Sequence, residues 1–583
     1  VTHDTSGRQP QRIRLTAGAL SATFEEGKLR YIKVGDHEVL RGIYAAVRDR
    51  NWGTPPGVLT DLNIDQQPDS FRVSFTSTHQ QGDIHFVWRG VIEGTPSTLS
   101  FDFDGEALST FIRSRLGFCV LHPVSASGAA VTLEHDDGSR EDAQFPTRIS
   151  PHQPFLKLRA MTHEVTPDIR AEIRFEGDMF ETEDQRQWTD ASFKTYCTPL
   201  AIPYPVTVEK GTRVHQKISV AIHGDLPAEP AAPSSNQVRL MDSGQTVALP
   251  KIGFAASQGG LTANEAEKLA ALKPAHIRVH ITIVDGAARL DGVEQAQALN
   301  APLEIAFRVT DVNGDIASAR AWAQTNAHPI ARWLVFDDDG VKTTPEIARA
   351  AHDHLREFAP VYGGTDHFFT ELNRNRPPVD MLDGVCFSVN PQVHAFDNAS
   401  LIEALGTLQT IVENARLISG GKPVAVSPVT FKIRENPNAT GGDPDEIADE
   451  LPESVDPRQM SLFGAGWTLG AIKYLALGGA DSVTFYETTG WLGVIERDDG
   501  SPLPEHFPSQ PGTVFPVYDL FRDVRQFAAV SPLQADDPLA LEGVVLRKGE
   551  RSARLIANLT HEALHVNDSF VLQAYEIRSQ GLK

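Results

Sequence analysis

The chain is poor in several things, and each shortage narrows what it does. Its 583 residues hold three cysteines, Cys119, Cys197 and Cys386, far apart and with no CxxC pair. That supports neither a disulfide framework nor a zinc knuckle, and an odd count fits a reducing compartment. No Lys/Arg run interrupts a formal charge of −23, so a nucleic acid would find no basic face. A small, neutral or weakly charged molecule is the expected partner. No apolar run is long enough to span a bilayer, so no membrane partner is expected. Val1 to Gln11 is polar and lacks the apolar centre of a leader; taken as the natural start, it reads as cytoplasmic. There is no GxSxG elbow for a serine esterase. His280, His367 and His394 fit no HExxH or other metal spacing, so no metal and no cofactor is assigned. In Asp337-Asp338-Asp339 consecutive carboxylates point different ways, which reads as a solvated turn. The oligomeric state leaves no mark on the sequence.

What is present divides the chain by period, and its length calls for two or three domains. Residues 1–232 are β-rich. Leu20–Phe24, Leu29–Val34, Phe71–Phe75, Ile84–Trp88 and Leu99–Phe103 alternate between turns, the pattern of an antiparallel β-sandwich. Two segments inside it are oddly polar, Val47–Thr54 and Glu181–Tyr196. Each mixes Trp with Arg, Asp and amides, which suits a sugar-contacting or interdomain surface, or equally an internal salt-bridge network. Pro227–Asn236 reads as a linker.

Over residues 238–530 strands and helices alternate. Strands are predicted at Ile252–Ala256, Ile277–Ile281, Leu303–Val309, Arg332–Asp337, His367–Glu371, Val385–Asn390, Val424–Val429 and Val483–Glu487. Helices between them include one opened by a Thr262/Glu265 capping box and another by Pro345 after Thr344. Eight such units close into a (β/α)8 barrel of the TIM type. A doubly wound sheet is the alternative, and no Gly-rich phosphate loop follows the first strand to support it. Residues 531–583 alternate again, as short strands packing on the barrel or completing a β domain. The fold expected is therefore multidomain, α/β plus all-β.

Catalytic groups of such barrels stand at the C-terminal ends of the strands. Two predicted strands end in a glutamate: Glu371 closes Phe368-Phe369-Thr370-Glu371, and Glu487 closes Phe485-Tyr486-Glu487. Carboxyls facing each other across one mouth can serve as acid and base if their surroundings hold one protonated. Arg278 and Tyr486 are the nearest groups to tune them, with Arg374 a second candidate. Arg308 reads as another tuner or as a rim salt bridge. His280, Asn373, Asn390 and His394 also stand at strand ends, and Trp491 offers a face on which a sugar can stack.

A glutamate on one barrel strand and another three strands later resembles the clan A glycoside hydrolases. There the pair falls on the fourth and seventh strands, not the fifth and eighth, and an Asn precedes the acid/base where Thr370 stands here. A closer resemblance spans most of the chain. Leu29–Ile32, Ala46–Thr54, Gly117–Pro123, Trp188–Tyr196, Phe369–Arg374 and Phe485–Glu487 resemble the D-apionate lactonase family. That resemblance implies a hydrolase opening D-apionolactone, a branched five-membered sugar lactone, to D-apionate in apiose catabolism. In a lactonase Glu371 and Glu487 are expected as acid and base, with Arg278, His280 or Asn390 as donors to the oxyanion. The alternative is a retaining exo-glycosidase with Glu371 as acid/base and Glu487 as nucleophile.

Overall fold

The computed structural model describes residues 11–230, 232, 236–435, 437 and 450–582. Val1–Pro10 and the middle of the expected linker, 231 and 233–235, lie outside the described residues.

The N-terminal part is one antiparallel system of seventeen strands. Alternation along each strand sends Phe71, Phe75, Phe86, Phe101, Phe103 and Phe118 inward, where all are buried. Phe101 and Phe118 meet with ring centroids 4.9 Å apart. Burying aromatic rings between sheet faces is what an alternating sequence achieves.

Eight parallel strands then form the barrel, which closes where Lys251–Ala255 pairs with Ser482–Thr489. The strands between are Ile277–Val284, Leu303–Val309, Ile330–Asp337, Val361–Phe368, Gly384–Val389 and Val424–Val429. The Thr262/Glu265 capping box starts Ala263–Leu272, and Thr344 caps Pro345–His354 with Pro345 in the first turn. Two helices, Asn398–Glu403 and Leu405–Ile418, follow the sixth strand.

The fifth strand departs from expectation. It begins at Val361 and ends at Phe368 instead of running from His367 to Glu371, so Gly363 and Gly364 lie inside it. Both are needed there. A Cβ on Gly364, whose φ is +143°, would stand 2.2 Å from the Cys386 carbonyl oxygen, and one on Gly363 would stand 2.7 Å from Thr343 Oγ1. Glycine in a strand marks this kind of close approach.

The C-terminal β unit is assembled from both sides of the barrel. Leu240–Asp242 and Val247–Ala248 pair with Ala529–Ala535, which continues through Leu541–Lys548 and Arg551–Asn558 to Ile577–Leu582. Lys473, on the helix Leu462–Gly478, ties it to the barrel through Glu542 at 2.5 Å and the Leu533 carbonyl at 2.9 Å. No helix among the described residues is long and apolar enough to cross a membrane.

Candidate active site

The lumen of the barrel is charged. In its lower layer Glu304, wholly buried, accepts from Thr484 Oγ1 at 2.7 Å and from Ser427 Oγ, with Arg332 Nε at 3.5 Å. Burial alone would raise its pKa. The fields of His276, Arg332 and Arg278 outweigh that and bring it down to about 2.

One layer higher, Asp366 from strand five is the hub. Its carboxylate is buried and meets three guanidiniums. Arg278 Nη2 reaches Oδ1, Arg308 Nη2 reaches Oδ2 at 2.9 Å, and Arg434 Nη2 reaches Oδ1 at 3.0 Å and the Asp366 carbonyl at 2.6 Å. Burial is again outweighed, chiefly by Arg278 and Arg434, so Asp366 is held ionised, well below the ordinary carboxylate range. Arg278 also donates to Ser427, at 2.7 Å to its carbonyl and 3.0 Å to its hydroxyl. Arg308 pairs outward with Glu435 at 2.7 Å.

Glu487 enters this mouth from strand eight through an irregularity. Gly253 pairs with Thr484 and Ala255 with Glu487, so two residues of strand eight oppose one of strand one. Tyr486 takes a φ of +50° at this bulge. Strict alternation from Thr484, which points into the lumen, would turn Tyr486 inward and Glu487 out. The bulge reverses this. Phe485 packs outward on Phe521 with centroids 5.4 Å apart, and Tyr486 bonds Thr468 Oγ1 at 2.7 Å behind the wall. A left-handed conformation in a tyrosine costs of order 1 kcal/mol or more, and here it accompanies the aiming of a carboxylate. Burial pushes the Glu487 pKa up to about 7, and the Arg434 charge only partly opposes this. His280, two residues beyond Arg278 on the same strand, stands nearby among these groups. Burial, then the charge of Arg278, presses its pKa down to about 4, so it is neutral at pH 7.

The other residues singled out in the sequence lie elsewhere. Glu371 does not end strand five. It sits on the short helix Phe369–Arg374, buried, accepting from Asn375 Nδ2 at 3.2 Å. That helix docks on the N-terminal domain. Thr370 Oγ1 donates to the Gln187 carbonyl, Asn373 Nδ2 to that of Ile149, Arg374 Nε to that of Pro151, and Arg374 lies over the Trp188 ring. His394 pairs with Asp190 of the N-terminal domain at 2.7 Å. The polar segment Glu181–Tyr196 is thus an interdomain surface. A second clasp joins Arg30 to Asp397 at 2.7 Å and to Glu403 at 3.0 Å. Asn390 is buried and accepts from the Gln392 amide; Trp491 donates to Ser501 Oγ at 2.9 Å. Tyr486 faces a helix rather than the mouth, because the bulge turns it out.

Of the expected groups, Arg278, His280, Arg308 and Glu487 converge. Asp366 and Arg434 were not singled out from the sequence. The signal for Asp366 was its parity with Tyr362 and Gly364 on strand five. Arg434 lies in an irregular loop after strand seven, where no periodicity points to it. Among the described residues no group of three or more His, Cys, Asp or Glu is placed to hold a metal ion.

Comparison with known proteins adds a family. The model of the D-apionate lactonase N-terminal domain matches residues 1–225, and that of the D-apionate lactonase TIM barrel domain matches 251–529. A D-apionate lactonase of Brucella anthropi is 32% identical over 556 residues, covering 86% of each chain. Among solved structures, a glucosidase from Croceicoccus marinus is 11% identical with a TM-score of 0.37, covering 59% of this chain and 84% of that one. A putative aldose 1-epimerase from Escherichia coli is 13% identical with a TM-score of 0.26, covering 37% of this chain and 100% of that one.

Proposed function

Because this chain belongs to the D-apionate lactonase family, and is with it a hydrolase, we propose that it opens D-apionolactone to D-apionate at the mouth of its barrel, with Glu487 carrying the proton transfers. The observation behind this is a buried carboxylate beside Arg434 whose pKa is pushed up to about 7. Such a group is part ionised at neutrality, where a general base is most effective. Ionised Glu487 takes a proton from water as the water oxygen attacks the lactone carbonyl. The electron pair moves to the carbonyl oxygen, and the guanidiniums of Arg434 and Arg308 stabilise the oxyanion. On collapse the ring C–O bond breaks, and protonated Glu487 returns its proton to the departing ring oxygen. Asp366 orders the arginines. Arg278 anchors Asp366 from below, and neutral His280 is a hydrogen-bonding group for substrate hydroxyls. Glu371, inside the docked helix, is assigned to the seam between domains.

The test measures acid release from D-apionolactone and from nitrophenyl glycosides across pH. Activity on the lactone should fall about tenfold per unit below pH 7 as Glu487 protonates. Glu371→Gln should stay within about tenfold of the wild type, short of the roughly hundredfold or greater loss expected of a general acid or base. Glycoside cleavage with no lactone turnover above background would replace this reading with a glycosidase, and collapse of the Glu371→Gln variant would return that residue to the chemistry.

A further inference from the structure

The mouth holds more positive charge than one carboxylate needs. Arg308 and Arg434 are 29% and 23% exposed, so their outer surfaces face the opening. Among the described residues, Nη1 of Arg308 and Nε and Nη1 of Arg434 have no acceptor, since their bonds run through Nη2 and through Nε of Arg308. Among the described residues, the charged groups of this mouth are Arg278, Arg308 and Arg434 against Asp366 and Glu435, with Glu487 beside Arg434 and His280 neutral. One positive charge is left over while Glu487 keeps its proton, and none once it ionises.

We propose that this mouth is a proton-linked carboxylate receptor: Arg308 and Arg434 bind the aldonate that the reaction produces, and they bind it in the form of the enzyme in which Glu487 is protonated. The inference rests on the lactonase reading for the identity of the anion. Guanidiniums with free N–H groups are matched to carboxylates. A lactone has no such charge, so the site discriminates product from substrate by the charge the reaction creates. Linkage fixes the sign. If binding requires a proton on Glu487, affinity is flat below the pKa of that group and falls by up to about tenfold per pH unit above it. Product leaves more readily as pH rises, and accumulates on the enzyme as pH falls.

The experiment is calorimetric titration of the full-length protein with D-apionate and with an uncharged branched alditol of the same carbon skeleton, from pH 6 to 8.5. The aldonate should bind at least about tenfold more tightly than the alditol at pH 6.5 and lose that advantage above pH 8. Glu487→Gln, permanently uncharged, should bind the aldonate with no pH dependence over this range. Glu435→Gln, which removes the carboxylate competing for Arg308, should bind it severalfold more tightly, whereas a residue that only holds structure would weaken binding when changed. Equal affinity for aldonate and alditol, or a pH response that survives in Glu487→Gln, overturns the proposal. Because binding is read without turnover, a wild type that hydrolyses no lactone would fail the functional reading separately.

Discussion

Inside the N-terminal sandwich the side chains that meet are rings: Phe75, Phe86, Trp88, Phe101, Phe103 and Phe118. Inside the barrel lumen a small apolar cluster that includes Leu334, Phe336 and Tyr362 shares the space with charges: Glu304 with Arg332, and Asp366 with Arg278, Arg308 and Arg434. Both interiors are buried, but they are paid for differently. Rings gain by leaving water, at about 25 cal/mol per Å² of apolar surface. Charges lose hydration, and their mutual attraction only offsets the loss. The barrel accepts that cost where chemistry is needed, at the C-terminal end of its strands. The sandwich has buried charges too, Asp184 with Arg186 and Glu183 with Lys194, but they lie on the Glu181–Tyr196 segment that meets the barrel. Charge is thus concentrated in the lumen and along the seam.

The comparison breaks most severely at Asp366. Asp366→Asn leaves three guanidiniums converging on a neutral amide. Removing one partner of a buried ionic set costs about 3–5 kcal/mol, and activity should fall below detection even in the folded fraction. Chemical denaturation and assays on folded protein check the two effects together. Retained activity would show that the arginines are ordered by something else.

Glu487→Gln should separate what Asp366→Asn combines. Turnover should drop about a hundredfold or more, the scale of general acid–base catalysis. Stability should move the other way. A carboxyl whose pKa is raised from 4.5 in the unfolded chain to about 7 in the fold contributes stability below pH 4.5, and this is lost as pH rises to 7. At pH 8 the wild type carries the full cost of a buried charge and the glutamine variant does not. The variant should therefore be more stable there, by on the order of 1–3 kcal/mol, with the gap vanishing near pH 4. A variant equally stable at both pH values would mean that Glu487 is not desolvated. In the sandwich, Phe101→Ala should show the reverse pair of effects: about 3–5 kcal/mol of lost stability with activity per folded molecule unchanged.

The sequence made the barrel legible because its strands are short segments rich in β-branched, aliphatic and aromatic residues that alternate with helical stretches, and because Thr262 and Pro345 announce their helices. It made the mouth only partly legible. Arg278 and His280 follow simple parity on strand two. Glu487 reaches the mouth only because of a bulge at Tyr486, and a bulge is a change of register that alternation cannot foretell. On strand five the expected strand began at His367, past the glycine pair, and ran on to Glu371, so Asp366 fell just outside it. Arg434 stands on irregular backbone, where position depends on tertiary contacts alone.

The smallest effect tests that bulge directly. Tyr486 was a natural candidate to tune Glu487, being its neighbour, and in a regular strand it would point into the lumen. Here its hydroxyl bonds Thr468 behind the wall. Tyr486→Phe keeps the ring and removes that bond, leaving the Thr468 hydroxyl to its other partner, the Gly464 carbonyl at 2.7 Å. The cost should be about 1 kcal/mol of stability, with turnover and its pH profile within about twofold of the wild type, well under the smallest general acid–base effect. A shifted pH profile would mean that the phenol senses Glu487 across the mouth. That would place Tyr486 inside the lumen and require Glu487 to face outward, because adjacent residues of a regular strand point to opposite sides.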